Sequence, residues 1–492
     1  MNRALLRLSL ACLVMFALLL ININYVQAFE ATSLAGKPGN GRTFNEQFQY
    51  QRGSIVAAGD GGNTKIAASR LVKNGNGTYQ RYYPAGPVYA PVTGYDSIFS
   101  ATGIEAAENK WLSGTDPRLQ VHNLISLITG KPKLGATVSL TISPRAQQAA
   151  YQALASDGGH QAAVVAMDPR TGAILALASY PTFNPNYYAT LSGTTLNKVD
   201  ARYRANPAQP LLNRALNATY APGSSFKIVT SSAAFSTHLV ANPNTPVAAP
   251  NTLPIGSGHV LINDNNEVCG NLNPPIIQAF WLSCNTAFGK LGIRLSGAVL
   301  RQYADAFGVN NPNLKIPLPV SPSVVPLETD PAFTAFTAIG QFNDQVTPLQ
   351  EAMFSAAIAN HGTLMTPHLV QSVTAPDLQV IDAAAPAPLS HPVTPTVASY
   401  LTQMMVQVTQ NPAGTAYATA NPSVAGVQIA GKTGTAQNGV NNGNLDDAVF
   451  TCFAPAANPK IAVGVIVKGG GFGADAAAPI AVKVIQAYLK VK

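Results

Sequence analysis

The sequence predicts an α+β chain: a helix-covered antiparallel sheet, preceded by a smaller β-rich unit and an apolar N-terminal segment. Three observations predict it. From Thr137 to the C-terminus, strand-like pairs alternate with helical runs, the pattern of an antiparallel sheet carrying helices. Residues 29–137 are instead rich in Gly, Pro, Asn and Tyr, with short strand-like runs between breaks. The 492 residues, 47% of them hydrophobic, hold more core than one compact unit usually needs. The expected division is 1–28, 29–137 and 138–492.

The N-terminus carries Arg3 and Arg7 and no acid, then an apolar run from Leu8 to Ile21 closed by Asn22 and Asn24. A basic stretch before an apolar run is an export signal that keeps the N-terminus in the cytoplasm. With Leu5, Leu6 and the Ile23–Val26 edge the run is long enough for a tilted membrane anchor. Val26-Gln27-Ala28 also loosely resembles a cleavage site, so retention as an anchor is the expectation and cleavage the alternative. In the next unit, Ser54–Ala58 and Lys65–Ala68 read as strands broken by Gly59-Asp60-Gly61-Gly62. Val138–Ile142 reads as a strand, and Ser143 and Pro144 suit the cap and first turn of a helix over Arg145–Ser156. Ala162–Met167, the turn Asp168–Gly172 and Ala173–Ser179 read as a hairpin. Gln350–Asn360 reads as a helix, Ala448–Phe453 and Ile461–Lys468 as strands, and Pro479–Leu489 as a closing helix.

Only 11% of the residues are charged, against about 25% in typical soluble domains. The net charge of +8 is scattered, with no Lys/Arg run interleaved with aromatics. That argues against a nucleic-acid partner and suits an anionic envelope polymer or lipid surface. The cysteines are Cys12, Cys269, Cys284 and Cys452. They form no CxxC or Cys/His spacing, so no metal site is expected. Cys269 and Cys284 stand open between a disulfide and two buried small apolar residues.

Three short motifs carry the chemistry. Ser224-Ser225-Phe226-Lys227 follows a Pro-Gly break and precedes an apolar helical stretch. Ser224 and Lys227 are three apart and share a helical face. A serine hydroxyl needs a neighbour to take its proton, and a lysine can do so only when burial or nearby cations lower its pKa. Ser283-Cys284-Asn285 adds a hydroxyl and an amide in an apolar setting. Lys432-Thr433-Gly434-Thr435 follows the strand-like Val427–Ala430, and offers a cation, two hydroxyls and backbone N–H groups for a carboxylate and an oxyanion. Singly, each motif reads as well as ordinary helix, loop or strand end. Gly426–Thr433 also matches a phosphate-loop pattern, but its variable positions are strand-like and no helix follows, so that reading is set aside.

Each motif occurs once, and they fall in this order, which resembles the active-site set of penicillin-binding proteins and serine β-lactamases. Val165–Ala176 is similar to the opening hairpin of the transpeptidase domain. Gly340-Gln341, Thr347–Gln350 and Ala359–Gly362 are similar to a stretch between its second and third motifs. Arg52-Gly53-Ser54-Ile55 resembles the start of the non-catalytic, dimerisation or pedestal domain of class B members. The Tyr82-Tyr83-Pro84 and Gly94-Tyr95-Asp96 neighbourhoods resemble the actinobacterial penicillin-binding protein A type. Phe342–Gln345 departs from the shorter Gly-containing turn of that family.

The resemblance implies a cofactor-free peptidoglycan D,D-transpeptidase, acylated by β-lactams, acting in wall synthesis and division. Ser224 would be the nucleophile, Lys227 its base, Ser283 a proton relay, and Asn285 a ligand of the substrate amide that also orients Lys227. Lys432, Thr433 and Thr435, with Gly434 between them, would bind the terminal carboxylate. The backbone N–H groups of Ser224 and Thr435 would hold the oxyanion. Implied partners are stem peptides, β-lactams, the cell membrane, and division or elongation proteins. The catalytic domain would lie outside a single-pass anchor. The alternatives on the same fold are a D,D-carboxypeptidase, a β-lactamase or β-lactam sensor, and a largely non-enzymatic division scaffold.

Overall fold

Helix α1 (Arg3–Tyr25) opens the chain in the computed structural model, which describes residues 3–30, 34, 47–73, 77–119, 134–256, 259–264, 267–314, 316–437 and 444–491. The helical stretch Leu5–Glu30 holds an 18-residue window of mean hydropathy 2.3, none of it buried against the protein. At 26 residues and 1.5 Å per residue it exceeds the about 30 Å hydrocarbon thickness of a bilayer.

The next unit begins with β1 (Ile55–Ala57), β2 (Thr64–Leu71) and β3 (Tyr79–Tyr82), joined antiparallel. The four glycine-rich residues between the first two strand-like runs form the expected turn, with Gly61 at φ +80°. Short helical segments, among them Ala90–Thr93, Gly103–Ala107 and Asn109–Leu112, follow before β4 (Thr137–Leu140). β4 runs parallel to β1, so the expected limit at residues 137/138 falls inside this strand.

α2 (Pro144–Ala155) starts where its cap requires: Ser143 Oγ accepts from the Ala146 N–H at 3.2 Å, and Pro144 has no N–H to leave unpaired. Its small apolar face, Ala146, Ala150, Ala153 and Leu154, is buried. β5 (Ala162–Met167) and β6 (Ile174–Tyr180) form the expected hairpin. Gly172 at φ +79° closes its turn by donating to Asp168 O at 2.8 Å. A 3₁₀ turn at Gly223–Phe226 leads into α3 (Lys227–Ser236). Then come β7 (Thr252–Gly256), β8 (His259–Ile262), α4 (Ile276–Trp281), α5 (Asn285–Leu295) and α6 (Pro348–Ala359). α6 starts at Pro348, two residues before the expected start, because Thr347 caps it by accepting from Gln350 N–H.

The short strands β9 (Leu364–Met365), β10 (Val370–Thr374), β11 (Val380–Ala383) and β12 (Pro388–Ser390) precede α7 (Pro395–Gln410). β10 pairs with β4, so one six-stranded sheet, β11-β10-β4-β1-β2-β3, draws strands from both sides of the expected limit. The chain closes with β13 (Ala430–Ala436), β14 (Asp447–Ala454), β15 (Ile461–Val467) and α8 (Ala477–Leu489). α8 begins two residues before Pro479, which stays in its first turn.

The second sheet has the order β13-β14-β15-β5-β6 and is antiparallel throughout. α2 and α8 pack together against β6 and β15, while α6 and α7 pack together against β15 and β13. Every residue of β5, β14 and β15 is buried. A sheet covered on both faces explains why these strands read as unbroken apolar runs rather than as alternating ones. β13 is an edge strand, and it borders the 3₁₀ turn.

Candidate active site

Ser224 sits in the 3₁₀ turn and Lys227 begins the helix that continues it, so their side chains meet: Lys227 Nζ lies 2.8 Å from Ser224 Oγ. Ser283 lies between α4 and α5 at φ +62°, a conformation a non-glycine residue holds only when its surroundings impose it. It presents both its carbonyl oxygen and its hydroxyl to Lys227 Nζ, at 2.6 and 3.2 Å. Asn285, the first residue of α5, accepts from the same amine through Oδ1 at 2.7 Å and donates through Nδ2 to Asp264 Oδ1 at 3.0 Å. Lys432 on β13 donates to Ser283 Oγ and to Thr433 O, both at 2.9 Å. Ser224, Lys227, Ser283, Asn285 and Lys432 are therefore one hydrogen-bonded set drawn from three distant stretches of chain.

A cleft of about 270 Å³ opens on this set, lined among others by Ser224, Ser283, Thr433, Thr435, Asp264 and Phe472. Lys227 and Lys432 do not line it; both are fully buried beneath its floor. Burial pulls the Lys227 ammonium down to about 7, with Asp264 acting in the opposite direction. The Lys432 amine falls well below the ordinary lysine value, from burial first and then from Lys227, again opposed by Asp264.

A hydrogen count then orients Lys227. A neutral amine has two N–H donors and one lone pair. Ser283 O and Asn285 Oδ1 can only accept, so they take the two donors. The lone pair is left for the hydroxyl hydrogen of Ser224, the arrangement needed to remove that proton.

Close packing holds β13 against the turn. A Cβ on Gly434 would lie 2.7 Å from Pro222 O and 2.9 Å from Val449 Cβ. Gly434→Ala is therefore expected to push β13 off the turn and slow acylation of Ser224 by about a hundred-fold, the scale of an ångström-sized misplacement of reacting groups. Stopped-flow reaction with a chromogenic β-lactam measures it; a rate within about threefold of wild type would refute the packing account.

Other residues complete the site. Gly340 O accepts from Gly223 N–H at 2.8 Å, and Gln341 Nε2 donates to Thr435 O at 3.2 Å. Thr415 Oγ1 lies 2.7 Å from Thr433 Oγ1. Sequence reasoning missed Thr415 and Asp264, which stand in loops without a pattern to mark them. The structure joins Cys269 and Cys284 in a disulfide with 5.9 Å between Cα atoms, tying the segment after Asp264 to the residue that follows Ser283. The divergent stretch Phe342–Gln345 begins just past Gln341. Phe342 takes φ +68° and stacks on Phe333 at 4.5 Å, while Asp344 is buried, which pushes its carboxyl well above the usual range.

Residues 162–486, which contain all three motifs, match the family model of the penicillin-binding protein transpeptidase domain. The chain belongs to this family. Residues 52–138 match the penicillin-binding protein A dimerisation domain. The penicillin-binding protein chain is 39% identical to the peptidoglycan D,D-transpeptidase PbpA of Mycolicibacterium smegmatis, over all of its own length and 99% of the relative's. It is likewise 39% identical to the protein of that name from Mycobacterium tuberculosis, with the same coverage. The structure of penicillin-binding protein A from M. tuberculosis as a ceftriaxone acyl-enzyme superposes with a TM-score of 0.83 at 38% identity, covering 90% of this chain and 99% of that one. A penicillin G acyl-enzyme of the same protein superposes at 0.82 and 39%, covering 89% and 100%.

Proposed function

We propose that this penicillin-binding protein is a peptidoglycan D,D-transpeptidase that works through an acyl-enzyme on Ser224. The observation that carries the reading is the Lys227 amine, buried, short of protons and 2.8 Å from the Ser224 hydroxyl. Ser224 Oγ attacks the carbonyl of the penultimate D-alanine as Lys227 takes its proton. The tetrahedral oxyanion is held by the backbone N–H groups of Ser224 and Thr435. The C–N bond then breaks. The proton passes from Lys227 through Ser283 to the departing D-alanine amine, and the acyl group stays on Ser224. An acceptor amine from a second stem peptide attacks the ester and gives up its proton along the same route, which frees Ser224.

Asn285 holds Lys227 in register and binds the donor amide. Thr433 and Thr435 bind the terminal carboxylate from the floor of the cleft, and Gly434 lets their strand approach the nucleophile. Lys432 acts from beneath, through Ser283: its buried amine donates to the Ser283 hydroxyl, which lines the cleft. β-Lactams acylate the same hydroxyl. Residues 1–28 form a cytoplasmic tip and single-pass anchor, 29–137 a non-catalytic unit, and 138–492 the catalytic domain outside the membrane. The chain acts in wall synthesis beside division or elongation proteins.

The test incubates the purified protein with penicillin G and maps the adduct by mass spectrometry, then supplies a pentapeptide donor with an amine acceptor. The expected results are a stable adduct on the peptide bearing Ser224 and a cross-linked product. No adduct would overturn the reading. Release of the free acid in place of cross-linking would make the enzyme a carboxypeptidase.

A further inference from the structure

Directly behind the nucleophile lies a carboxyl group that the reaction above does not use. Glu351 sits in α6, a helix buried along its whole length, and is itself 0% exposed. Its Oε1 lies 2.8 Å from the hydroxyl of Ser225, the residue after the nucleophile. Ser225 Oγ also lies 2.9 Å from Pro222 O. The Pro222 carbonyl can only accept, so it takes the one hydrogen of the Ser225 hydroxyl. The contact with Glu351 then requires the hydrogen to come from the carboxyl. An ionised Glu351 would set two acceptors competing for one hydrogen and leave a bare charge in the core.

The surroundings agree. Glu351 Oε2 has no hydrogen-bond partner among the described residues. Arg214, on the adjoining short helix, turns both Nη atoms of its guanidinium to the carbonyls of Ala208, Gln209 and Leu212, and its buried Nε has no hydrogen-bond partner among the described residues. Lys227 points its amine at Ser283 and Asn285. On β14, Thr451 donates to Glu351 O; the titratable groups elsewhere on that strand are Cys452, whose thiol burial pushes up, and Asp447 at its start, and α7 carries Tyr400, whose ring lies against Phe235. None supplies a counter-charge. Burial raises the Glu351 carboxyl to about 8.

We infer that Glu351 is a positioning residue for acylation: as a neutral acid it donates to Ser225, whose hydroxyl clamps Pro222 O, and so fixes the turn that presents Ser224. The relay Glu351 Oε–H to Ser225 Oγ–H to Pro222 O ends on the carbonyl that packs against Gly434. It thus sets the turn against β13 from the inside. The inference rests on the acylation chemistry proposed above.

The experiment measures second-order acylation by a chromogenic cephalosporin from pH 6 to pH 10, for wild type, Glu351→Gln and Glu351→Leu. Wild type is expected to rise through about 7 as Lys227 loses its proton and to fall above about 8 as Glu351 loses its own. Glu351→Gln keeps an N–H donor for Ser225 and does not ionise. It should acylate within about threefold of wild type at pH 7 and lack the falling limb. Glu351→Leu removes the donor and should acylate about thirty-fold more slowly at pH 7, a gap that narrows above about 8 as wild type loses the same donor. A merely structural role would leave the alkaline limb untouched by the glutamine variant. The inference is overturned if Glu351→Gln retains that limb, or if Glu351→Leu acylates at the wild-type rate. Wild type that is not acylated at all would overturn the transpeptidase reading along with it.

Discussion

Replacing Lys227 with alanine is expected to slow acylation of Ser224 by about 10³- to 10⁴-fold, the upper range of a general base's contribution. Among the described residues, no second group stands ready to take over. Ser283 Oγ accepts from Lys432 at 2.9 Å, and Asn285 offers an amide, which is not a base at neutral pH. The Lys432 amine is bonded to Ser283 and Thr433 and is not hydrogen-bonded to Ser224.

The same assignment fixes the sign of the pH dependence. The reactive form of Lys227 is the neutral amine, and its pKa is depressed from 10.5 to about 7. Below that value each pH unit removes about nine-tenths of the reactive form, so the rate should fall about tenfold per unit. Above it the rise ends, and above about 8 the rate falls again as Glu351 ionises. An exposed lysine would instead give a rate still climbing at pH 10. Fluorescent penicillin labelling, timed at each pH, checks both parts. A flat profile through pH 7, or a Lys227→Ala variant within tenfold of wild type, would remove lysine from the role.

Local grammar carried the sequence reading a long way. Ser143-Pro144 marked the start of α2 because a capping hydroxyl and a missing N–H solve a problem internal to four residues. The β5–β6 hairpin was legible for the same reason: Asp168 and Gly172 close their turn without help from the rest of the chain. What the sequence hid depends on partners far away along the chain. Val427–Ala430 was read as strand, yet β13 begins only at Ala430 and runs through the whole Lys-Thr-Gly motif. Its extent is set by residue-for-residue pairing with Asp447–Phe453, not by the composition of its own residues. The helical segments at Ala90–Thr93, Gly103–Ala107 and Asn109–Leu112 are too short to show a period. Ser283 gave no sign of its left-handed conformation, because serine has no preference for it. Glu351 did carry a signal. It is the lone charge in an Ala-, Met- and Phe-rich helix, and a helix apolar all round is a buried one.

Glu105→Ala is expected to destabilise the non-catalytic unit by about 3–5 kcal/mol, the cost of breaking a buried ion pair from one side. Glu105 is fully buried and answers two arginines. Its Oε1 accepts from Arg81 Nε at 2.6 Å and its Oε2 from Arg52 Nε at 2.7 Å. Tyr83 donates to Oε1 at 3.2 Å, and Arg52 Nη2 reaches the Glu105 carbonyl at 2.6 Å. Without the carboxylate, Arg81 and Arg52 stay buried with Asp96 as the remaining acid of the cluster, 3.6 Å from Arg52. Burial acts to raise the Glu105 pKa, but Arg81 and then Arg52 outweigh it, so the net shift is downward. A carboxyl with a depressed folded pKa adds stability that is present above its unfolded value and is lost as pH falls through the folded one. The gap between wild type and Glu105→Ala should therefore be full at pH 7 and shrink below about pH 4.5, the ordinary glutamate range. Asp96 moves the other way, raised by burial and by Glu105 itself. Removing Glu105 lets Asp96 ionise more readily, which places the loss toward the lower end of the range. Thermal unfolding at pH 7 and at pH 4 measures the gap, and a difference below about 1 kcal/mol at pH 7 would show that the arginines find other partners. None of the cluster's side chains lines the cleft. Penicillin should therefore acylate the folded fraction of Glu105→Ala at close to the wild-type rate, which separates loss of the non-catalytic unit from damage to the site.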